Sequence, residues 1–84
     1  MNLQQTLRNY ILDKCLKGLA PEGFDDDFNL IDAGFMDSLT IINTVSHMEK
    51  EYGITFDDGD IVPEHFMSVN ALAAFVRGKR LQAR

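Results

Sequence analysis

Apolar residues recur at three- and four-residue steps in three separate stretches of the chain, and no stretch alternates apolar and polar residues as a strand does. This periodicity predicts an all-α protein. The first stretch predicts a helix over residues 3–19, which Gly18 and Pro21 would end. The residues predicted to face inward on this helix are Leu3, Leu7, Ile11, Leu12, Leu16 and Leu19.

A long connection, residues 20–37, follows this helix. Connections of this length without regular structure are uncommon, so we expect the segment to be functional or pinned to the core. Phe28, Leu30 and Ile31 are the apolar residues expected to pin it, with acids between them facing water. Gly34 can adopt a positive φ angle just before the next helix.

The second helix is predicted from Ser38 to Tyr52, with Gly53 as its C-terminal cap. Leu39 falls away from the apolar stripe and is expected to be at least partly exposed. The residues predicted to face the core are Ile41, Ile42, Val45, Met48 and Tyr52, and those predicted on the far side are Thr40, Asn43, Thr44, His47 and Lys50.

Two further helices complete the prediction. Proline suits a first helical position, so Pro63–Met67 is expected to form a single turn. Ser68 is expected to cap a last helix that runs to about Arg77. The inward-facing residues of this helix would be Val69, Leu72, Phe75 and Val76. The predicted fold is a small four-helix bundle with a long loop between helices 1 and 2 and a short helix 3.

The 84 residues allow one domain, with a core over about residues 3–78 and a basic tail over residues 79–84. No apolar run approaches the roughly 20 residues that span a membrane, and the start of the chain lacks the pattern of a signal peptide. Cys15 is the only cysteine, which excludes an internal disulfide and fits a reducing cytoplasm.

Charge is unevenly distributed along the chain. Residues 21–67 hold twelve acidic residues and one lysine, whereas both ends are basic. The acidic middle would repel nucleic acid and attract basic protein surfaces. The acidic runs at Asp25–Asp27 and Asp57–Asp60 lack the ligand spacing of an EF-hand loop, so no metal site is predicted.

Ser38 allows three interpretations from its surroundings alone. It could cap the second helix, since serine is a preferred N-cap residue. It could be a nucleophile, but His47 lies nine residues further along the same helix, about 13 Å away by axial rise, and nothing places His65 beside it. It could also be a point of covalent attachment.

Three motifs in order resemble those of the acyl carrier protein family, which includes peptidyl and D-alanyl carriers. They are DFNLIDAGFMDSL at residues 27–39, MEKEYGITF at residues 48–56 and PEHFMSVNALAAFV at residues 63–76. The resemblance covers about residues 5–78. It implies that Ser38 is esterified by 4'-phosphopantetheine derived from coenzyme A, and that the arm holds an acyl or aminoacyl group as a thioester.

The resemblance also implies a set of roles and partners. Asp37 and Leu39 would be recognised by the phosphopantetheinyl transferase, and the other partners would be an adenylating acyl or aminoacyl ligase and downstream transferases or synthases. No catalytic residue is implied, and a cytoplasmic monomer is expected. The residues expected to bind partners are Leu39, Thr40, Asn43, Thr44 and His47.

The sequence differs from fatty-acid carriers in two features, which indicate the part of the family that it resembles most. Two residues, Phe35 and Met36, separate Gly34 from Asp37, as in D-alanyl carriers, where fatty-acid carriers have one. The outer face of helix two also lacks most of the glutamates of fatty-acid carriers. Both departures favour a stand-alone carrier in a dedicated pathway. The alternatives are a carrier of routine fatty-acid or polyketide synthesis and an unmodified carrier-like interaction module, and the sequence identifies no cargo.

Overall fold

The structure, a computed structural model, describes residues 3–82 and contains helices without strands in that part of the chain. The elements are α1 (Leu3–Tyr10), a π-helical turn (Ile11–Cys15), α2 (Ser38–Tyr52), a 3-10 turn (Asp58–Asp60), α3 (Pro63–Phe66) and α4 (Val69–Gln82). The predicted all-α bundle, with its long first loop and short third helix, is confirmed. No helix within the described range has the length and apolar character needed to cross a bilayer.

The first helix ends earlier than predicted. The chain widens into a π-helical turn at Ile11–Cys15, closed by a hydrogen bond of 2.9 Å from the Leu16 N–H to the Ile11 carbonyl. Lys17 and Gly18 then adopt positive φ angles of 55° and 80° and reverse the chain. Leu19 therefore leaves the helix face and is 78% exposed, so its predicted inward position is wrong. Of the other residues predicted to face inward, Leu7, Ile11 and Leu16 are buried, and Leu3 and Leu12 pack against the core.

The long first loop is pinned as predicted. Leu30 is fully buried, and Phe28 and Ile31 pack against the core. The Leu30 N–H donates to the Met67 carbonyl over 2.7 Å, which joins the loop to the end of α3. Gly34 takes the expected positive φ angle, 84°, and turns the chain towards α2.

A polar clamp fastens the same loop to α1 and α4. The Arg8 guanidinium donates to both carboxylate oxygens of Asp26, over 2.6 and 2.7 Å. Gln4 donates to the same carboxylate over 3.0 Å, and the Asn70 N–H donates to the Asp26 carbonyl over 2.9 Å. A hydrogen bond from Arg8, with smaller contributions from the Gln4 hydrogen bond and then from the charge of Arg8, lowers the pKa of Asp26 to about 2. Asp26 therefore carries the central contact of this clamp.

α2 has the predicted bounds, but its buried face is rotated relative to the prediction. Met48 is buried and Ile41, Val45 and Tyr52 pack against the core, as expected. Two predicted positions are wrong: Ile42 is 57% exposed, whereas Thr44 is fully buried. The buried stripe thus follows residues 41, 44, 45, 48 and 52, a regular i, i+3, i+4, i+7 pattern. Thr44 tolerates burial because its hydroxyl donates to the Thr40 carbonyl over 2.8 Å.

The end of the bundle follows the predicted plan with a longer last helix. Pro63 opens α3 at its first position. The Ser68 hydroxyl accepts a 3.1 Å hydrogen bond from the Ala71 N–H and caps α4 as expected. Val69, Leu72 and Val76 are fully buried, and Phe75 is partly buried against the core.

α4 continues to Gln82 rather than ending near Arg77. Lys79, in the segment predicted to be a tail, forms a 2.6 Å ion pair with Asp60 and so extends the packed region beyond residue 78. Residues 83–84 of that predicted tail lie outside the described residues, as do residues 1–2 of the predicted domain.

Candidate functional site

The residue that caps α2 is Asp37, not Ser38. Asp37 has an extended backbone, and its carboxylate accepts a 2.9 Å hydrogen bond from the Thr40 N–H. This is the geometry of a helix N-cap, in which a side-chain oxygen satisfies a free N–H of the first turn. Bonds from the Thr40 N–H first, and from its hydroxyl second, lower the pKa of Asp37. The interpretation of Ser38 as the helix cap is therefore wrong.

Ser38 is the first residue of α2, and it is exposed. Its hydroxyl has no capping role, because the Asp37 carboxylate accepts the hydrogen bond from the first turn of α2. Free N–H groups and the positive end of the helix dipole lie at this end of α2. An anionic group attached here would be stabilised by both.

The chain has only two other serines, and each differs from Ser38 in its surroundings. Ser68 is buried, and its hydroxyl is used to cap α4. Ser46 is exposed, but it lies in the middle of α2, where backbone N–H groups are already bonded within the helix. Ser38 alone combines exposure with a helix N-terminus.

The predicted partner-binding residues do not share one accessible face. Leu39, at 67% exposure, and Asn43 are exposed. Thr40 is half-buried, and the His47 ring stacks on Tyr10 with centroids 4.1 Å apart. Thr44 is fully buried and cannot contact a partner in this structure, which corrects its predicted place on the outer face.

Ile42, which was predicted to face the core, is exposed. It lies four residues after Ser38, and residues four apart share one face of a helix. With Leu39 it forms an exposed apolar patch, defined here as Leu39 and Ile42, beside Ser38. The signal was present in the Ile41–Ile42 pair, since two adjacent helical residues point about 100° apart and both seldom face the same core.

Glu49 is a structural residue of α2. Its carboxylate accepts a 2.9 Å hydrogen bond from the Phe56 N–H and so ties the following segment to the helix. Glu51, by contrast, is exposed. The outer face of α2 therefore carries fewer free acids than its sequence suggests.

Neither histidine lies where it could act as a base for Ser38. His47 stacks on Tyr10, and the His65 Nδ1 lies 2.8 Å from the Asp60 carbonyl oxygen, with its ring against Phe75. The residues that the structure describes include no group of three or more His, Cys, Asp or Glu side chains arranged to hold a metal ion.

Cys15 is a packing residue of the first helical segment. Its side chain is partly buried against the core. Burial raises the pKa of the Cys15 thiol, while a hydrogen bond with Thr44 acts in the opposite direction. A thiol with a raised pKa remains protonated at neutral pH and is a poor nucleophile.

The fold and this site define a class: a small helical bundle that presents an exposed serine hydroxyl at the start of its second helix. A model of the phosphopantetheine attachment site family matches residues 5–76, most of the chain. The chain belongs to this family, that of the acyl carrier proteins. A comparison with curated proteins found no matching relative.

Membership of the family defines the cofactor and the general role. The family carries 4'-phosphopantetheine attached covalently to a serine, and its members are carriers that interact with phosphopantetheinyl transferases and with synthases or ligases. The residues around Ser38 fit such a group. The hydroxyl is exposed, the helix terminus favours a phosphodiester anion, and Asp37 holds the first turn in place.

Proposed function

We propose that Ser38 is the attachment site and that the protein delivers an acyl or aminoacyl group to partner enzymes. The observation that supports this is the difference among the three serines: Ser38 is exposed at a helix N-terminus, and its hydroxyl is free of the capping role that Asp37 performs. When bound, the arm supplies a terminal thiol that carries the cargo as a thioester. The chain itself positions and presents this arm and performs no catalysis.

The attachment reaction needs a separate transferase. In it the Ser38 oxygen forms a bond to the pantetheine-bearing phosphorus of coenzyme A, the pyrophosphate P–O bond breaks, and adenosine 3',5'-bisphosphate leaves. The serine proton goes to a base of the transferase, because the described residues place no histidine beside the hydroxyl. Asp37 and Leu39 are the proposed recognition residues, and both are exposed.

The outer face of α2 supports a dedicated pathway rather than routine fatty-acid synthesis. This face presents the apolar patch of Leu39 and Ile42 together with neutral Asn43. Glu49 is engaged with the Phe56 backbone, so charge contributes little there. Such a surface suits an adenylating ligase and downstream transferases or synthases that recognise apolar area more than charge. The single carrier domain, the monomeric state and the cytoplasmic location remain predictions from the sequence.

Intact-mass measurement tests the assignment. The protein is incubated with coenzyme A and a phosphopantetheinyl transferase of broad specificity. We expect one added arm on the wild-type chain and on Ser46→Ala, and none on Ser38→Ala. Ser46→Ala is the matched control because Ser46 is exposed on the same helix. An arm that persists on Ser38→Ala would refute the site, and a wild-type chain that gains no arm would favour the unmodified interaction module.

A further inference from the structure

Ser38 lies in the middle of a short exposed stretch between two anchored parts of the chain. Residues 37–39 are all exposed, whereas Met36, directly before them, is only 3% exposed and belongs to the hydrophobic core. The first buried residue after the stretch is Thr44, six positions beyond Ser38. Met36 is therefore the buried residue nearest to Ser38 in the sequence.

The backbone of Met36 is anchored as well as its side chain. Its N–H donates to the Leu30 carbonyl over 3.2 Å, and the N–H of Phe35 donates to the same carbonyl over 2.9 Å. Leu30 is itself fully buried, and its N–H donates to the Met67 carbonyl over 2.7 Å. Because Leu30 joins Met36 to the end of α3, the chain has little freedom up to residue 36.

The far side of the exposed stretch is the first turn of α2. The Asp37 carboxylate accepts a hydrogen bond from the Thr40 N–H over 2.9 Å, and the Asp37 carbonyl accepts one from the Ile41 N–H over 2.8 Å. Both bonds begin at Asp37, so they shape the turn without attaching it to the core. Ile41 packs against the core and attaches the turn on this side. On the other side Met36 provides the attachment, because residues 37–39 are exposed.

The attachment reaction requires an accurately placed hydroxyl. The Ser38 oxygen must approach the phosphorus of coenzyme A roughly in line with the bond that breaks. A displacement of about 1 Å in a reacting group can slow a reaction roughly a hundredfold. At most about 7 Å of chain separates the Cα atoms of Met36 and Ser38, so a shift of Met36 is passed on to Ser38.

We propose that Met36 is a positioning residue for the attachment reaction, and that its buried side chain sets the place of the Ser38 hydroxyl relative to the bundle. The inference rests on the proposed function of Ser38. Met36 acts through Ser38 and not by contact with coenzyme A, because the core covers it. The two residues before Asp37 thus have separate roles, since Phe35 is only partly buried and its ring lies 6.5 Å from that of Phe28.

Met48 supplies a matched control for a test by substitution. It is a fully buried methionine of α2, ten residues beyond Ser38 and so about 15 Å along the helix. Met36→Ala and Met48→Ala each remove a buried side chain and lower the stability of the bundle. Only Met36→Ala should release the start of α2. Denaturant melts identify conditions under which both variants remain folded.

The first readout is the steady-state kinetics of arm transfer from coenzyme A to the full chain by a phosphopantetheinyl transferase of broad specificity. Met36→Ala should lower kcat roughly ten- to a hundredfold. KM for the carrier should change less than about threefold, because Asp37 and Leu39, the proposed recognition residues, are unchanged. Met48→Ala should keep kcat within about threefold of the wild type. Met36→Leu, which conserves the volume of the side chain, should restore the wild-type rate.

The second readout is hydrogen exchange of backbone amides at the start of α2, measured by NMR without coenzyme A or transferase. The Thr40 N–H exchanges through local opening of the first turn, which does not depend on the stability of the whole bundle. Its exchange should be at least about fivefold faster in Met36→Ala than in the wild type, and within about twofold of the wild type in Met48→Ala. This measurement is independent of arm attachment.

Three results would overturn the inference. The first is an equal loss of kcat in the two alanine variants, which would reduce the effect to general destabilisation. The second is a wild-type kcat in Met36→Ala, and the third is a lower kcat without faster exchange at Thr40. If Met36→Ala does not fold, Met36→Val, which leaves a smaller cavity, takes its place with the same two readouts.

The two proposals fail in different ways. A wild-type chain that gains no arm refutes the proposed function. A wild-type rate of transfer to Met36→Ala refutes only the positioning role, and leaves attachment at Ser38 in place.

Discussion

The carboxylate of Asp37 accepts a 2.9 Å hydrogen bond from the backbone N–H of Thr40, and this contact begins α2. Asp37 therefore has a structural role as the N-cap of α2, whether or not an enzyme also recognises it. It also relieves Ser38 of that role, so the hydroxyl stays exposed at the positive end of the helix. Substitutions at Asp37 consequently act on the helix start as well as on the proposed site.

The first prediction separates the two roles of Asp37. Asp37→Ala removes the cap and should lower the urea midpoint of unfolding, whereas Asp37→Asn retains a capping oxygen and should stay closer to the wild type. Because the hydrogen bond from Thr40 lowers the pKa of Asp37, the stability due to its charge is present above the unfolded-state pKa. That stability is lost as the pH falls through the folded-state pKa.

Melts of both variants over a pH series check this prediction, and equal instability of the Asn and Ala variants at neutral pH would contradict it. The same variants also test the proposed recognition of Asp37 by the transferase. If Asp37→Asn folds normally but gains its arm more slowly than the wild type, the transferase recognises the charge of Asp37.

The second prediction concerns the clamp at Asp26. Its pKa of about 2 in the folded protein is below the unfolded value of 3.8. The charge of Asp26 therefore stabilises the folded protein above about pH 4, and this stabilisation is lost as the pH falls towards 2. Arg8 and Asp26 are partly exposed, so screening reduces the contribution to the order of 1 kcal/mol.

Asp26→Asn should therefore lower the free energy of unfolding at pH 7 by about that amount, with the difference from wild type closing between about pH 4 and pH 2. Glu22→Gln, at an exposed acid of the same loop, is the control and should show no such pH-dependent difference. Denaturant melts across this range decide the matter. A constant difference between Asp26→Asn and the wild type down to pH 2 would contradict the assigned role.

The third prediction tests the rotated face of α2. Thr44→Ala removes a buried methyl group and a hydroxyl bonded within the helix, and should destabilise the protein by roughly 1–2 kcal/mol. Asn43→Ala, one residue earlier on the exposed side, should change stability by less than about 0.5 kcal/mol. Denaturant melts of both variants provide the measurement. Equal losses of stability in the two variants would contradict the burial of Thr44.

The sequence predicted the fold wherever a local signal specified a boundary. α2 has its predicted bounds and ends at Gly53, which adopts the left-handed conformation that a helix C-cap requires, with φ of 65°. Two further predictions of this kind are confirmed: Leu30 is buried and pins the first loop, and Ser68 caps α4. The class of site was predictable too, because three motifs fall in order on one short chain.

The wrong predictions concern features that the local sequence does not determine. Periodicity alone allowed either Ile42 or Thr44 beside Ile41 on the core face, and the stacking of Tyr10 on His47 shows that α1 covers the Thr44 side. Ser38 was interpreted as a possible cap, whereas Asp37, the residue before it, is of an equally good N-cap type and takes that position. The π-helical turn at Ile11–Cys15 has no reliable signature in a single sequence.

The last prediction is about partner choice, and it compares the apolar patch with an exposed acid of α2. Leu39 and Ile42 offer exposed apolar area beside Ser38. Glu49 is unsuitable as the acidic comparator, because its carboxylate supports the Phe56 backbone and its replacement would mix folding with binding. Glu51 is the better choice, since it is exposed on the same helix.

We expect Leu39→Ala and Ile42→Ala each to reduce kcat/KM for loading of the arm by the cognate ligase by roughly five- to thirtyfold, because each removes apolar contact area. Glu51→Gln should reduce it by less than about threefold, and the salt dependence of loading should be modest. Both apolar variants should fold as the wild type does, since the side chains are exposed. Loading kinetics for all three variants across a salt series provide the measurement. If Glu51→Gln had the largest effect and loading fell steeply with salt, recognition would be electrostatic, as in fatty-acid carriers, and the case for a dedicated pathway would fail.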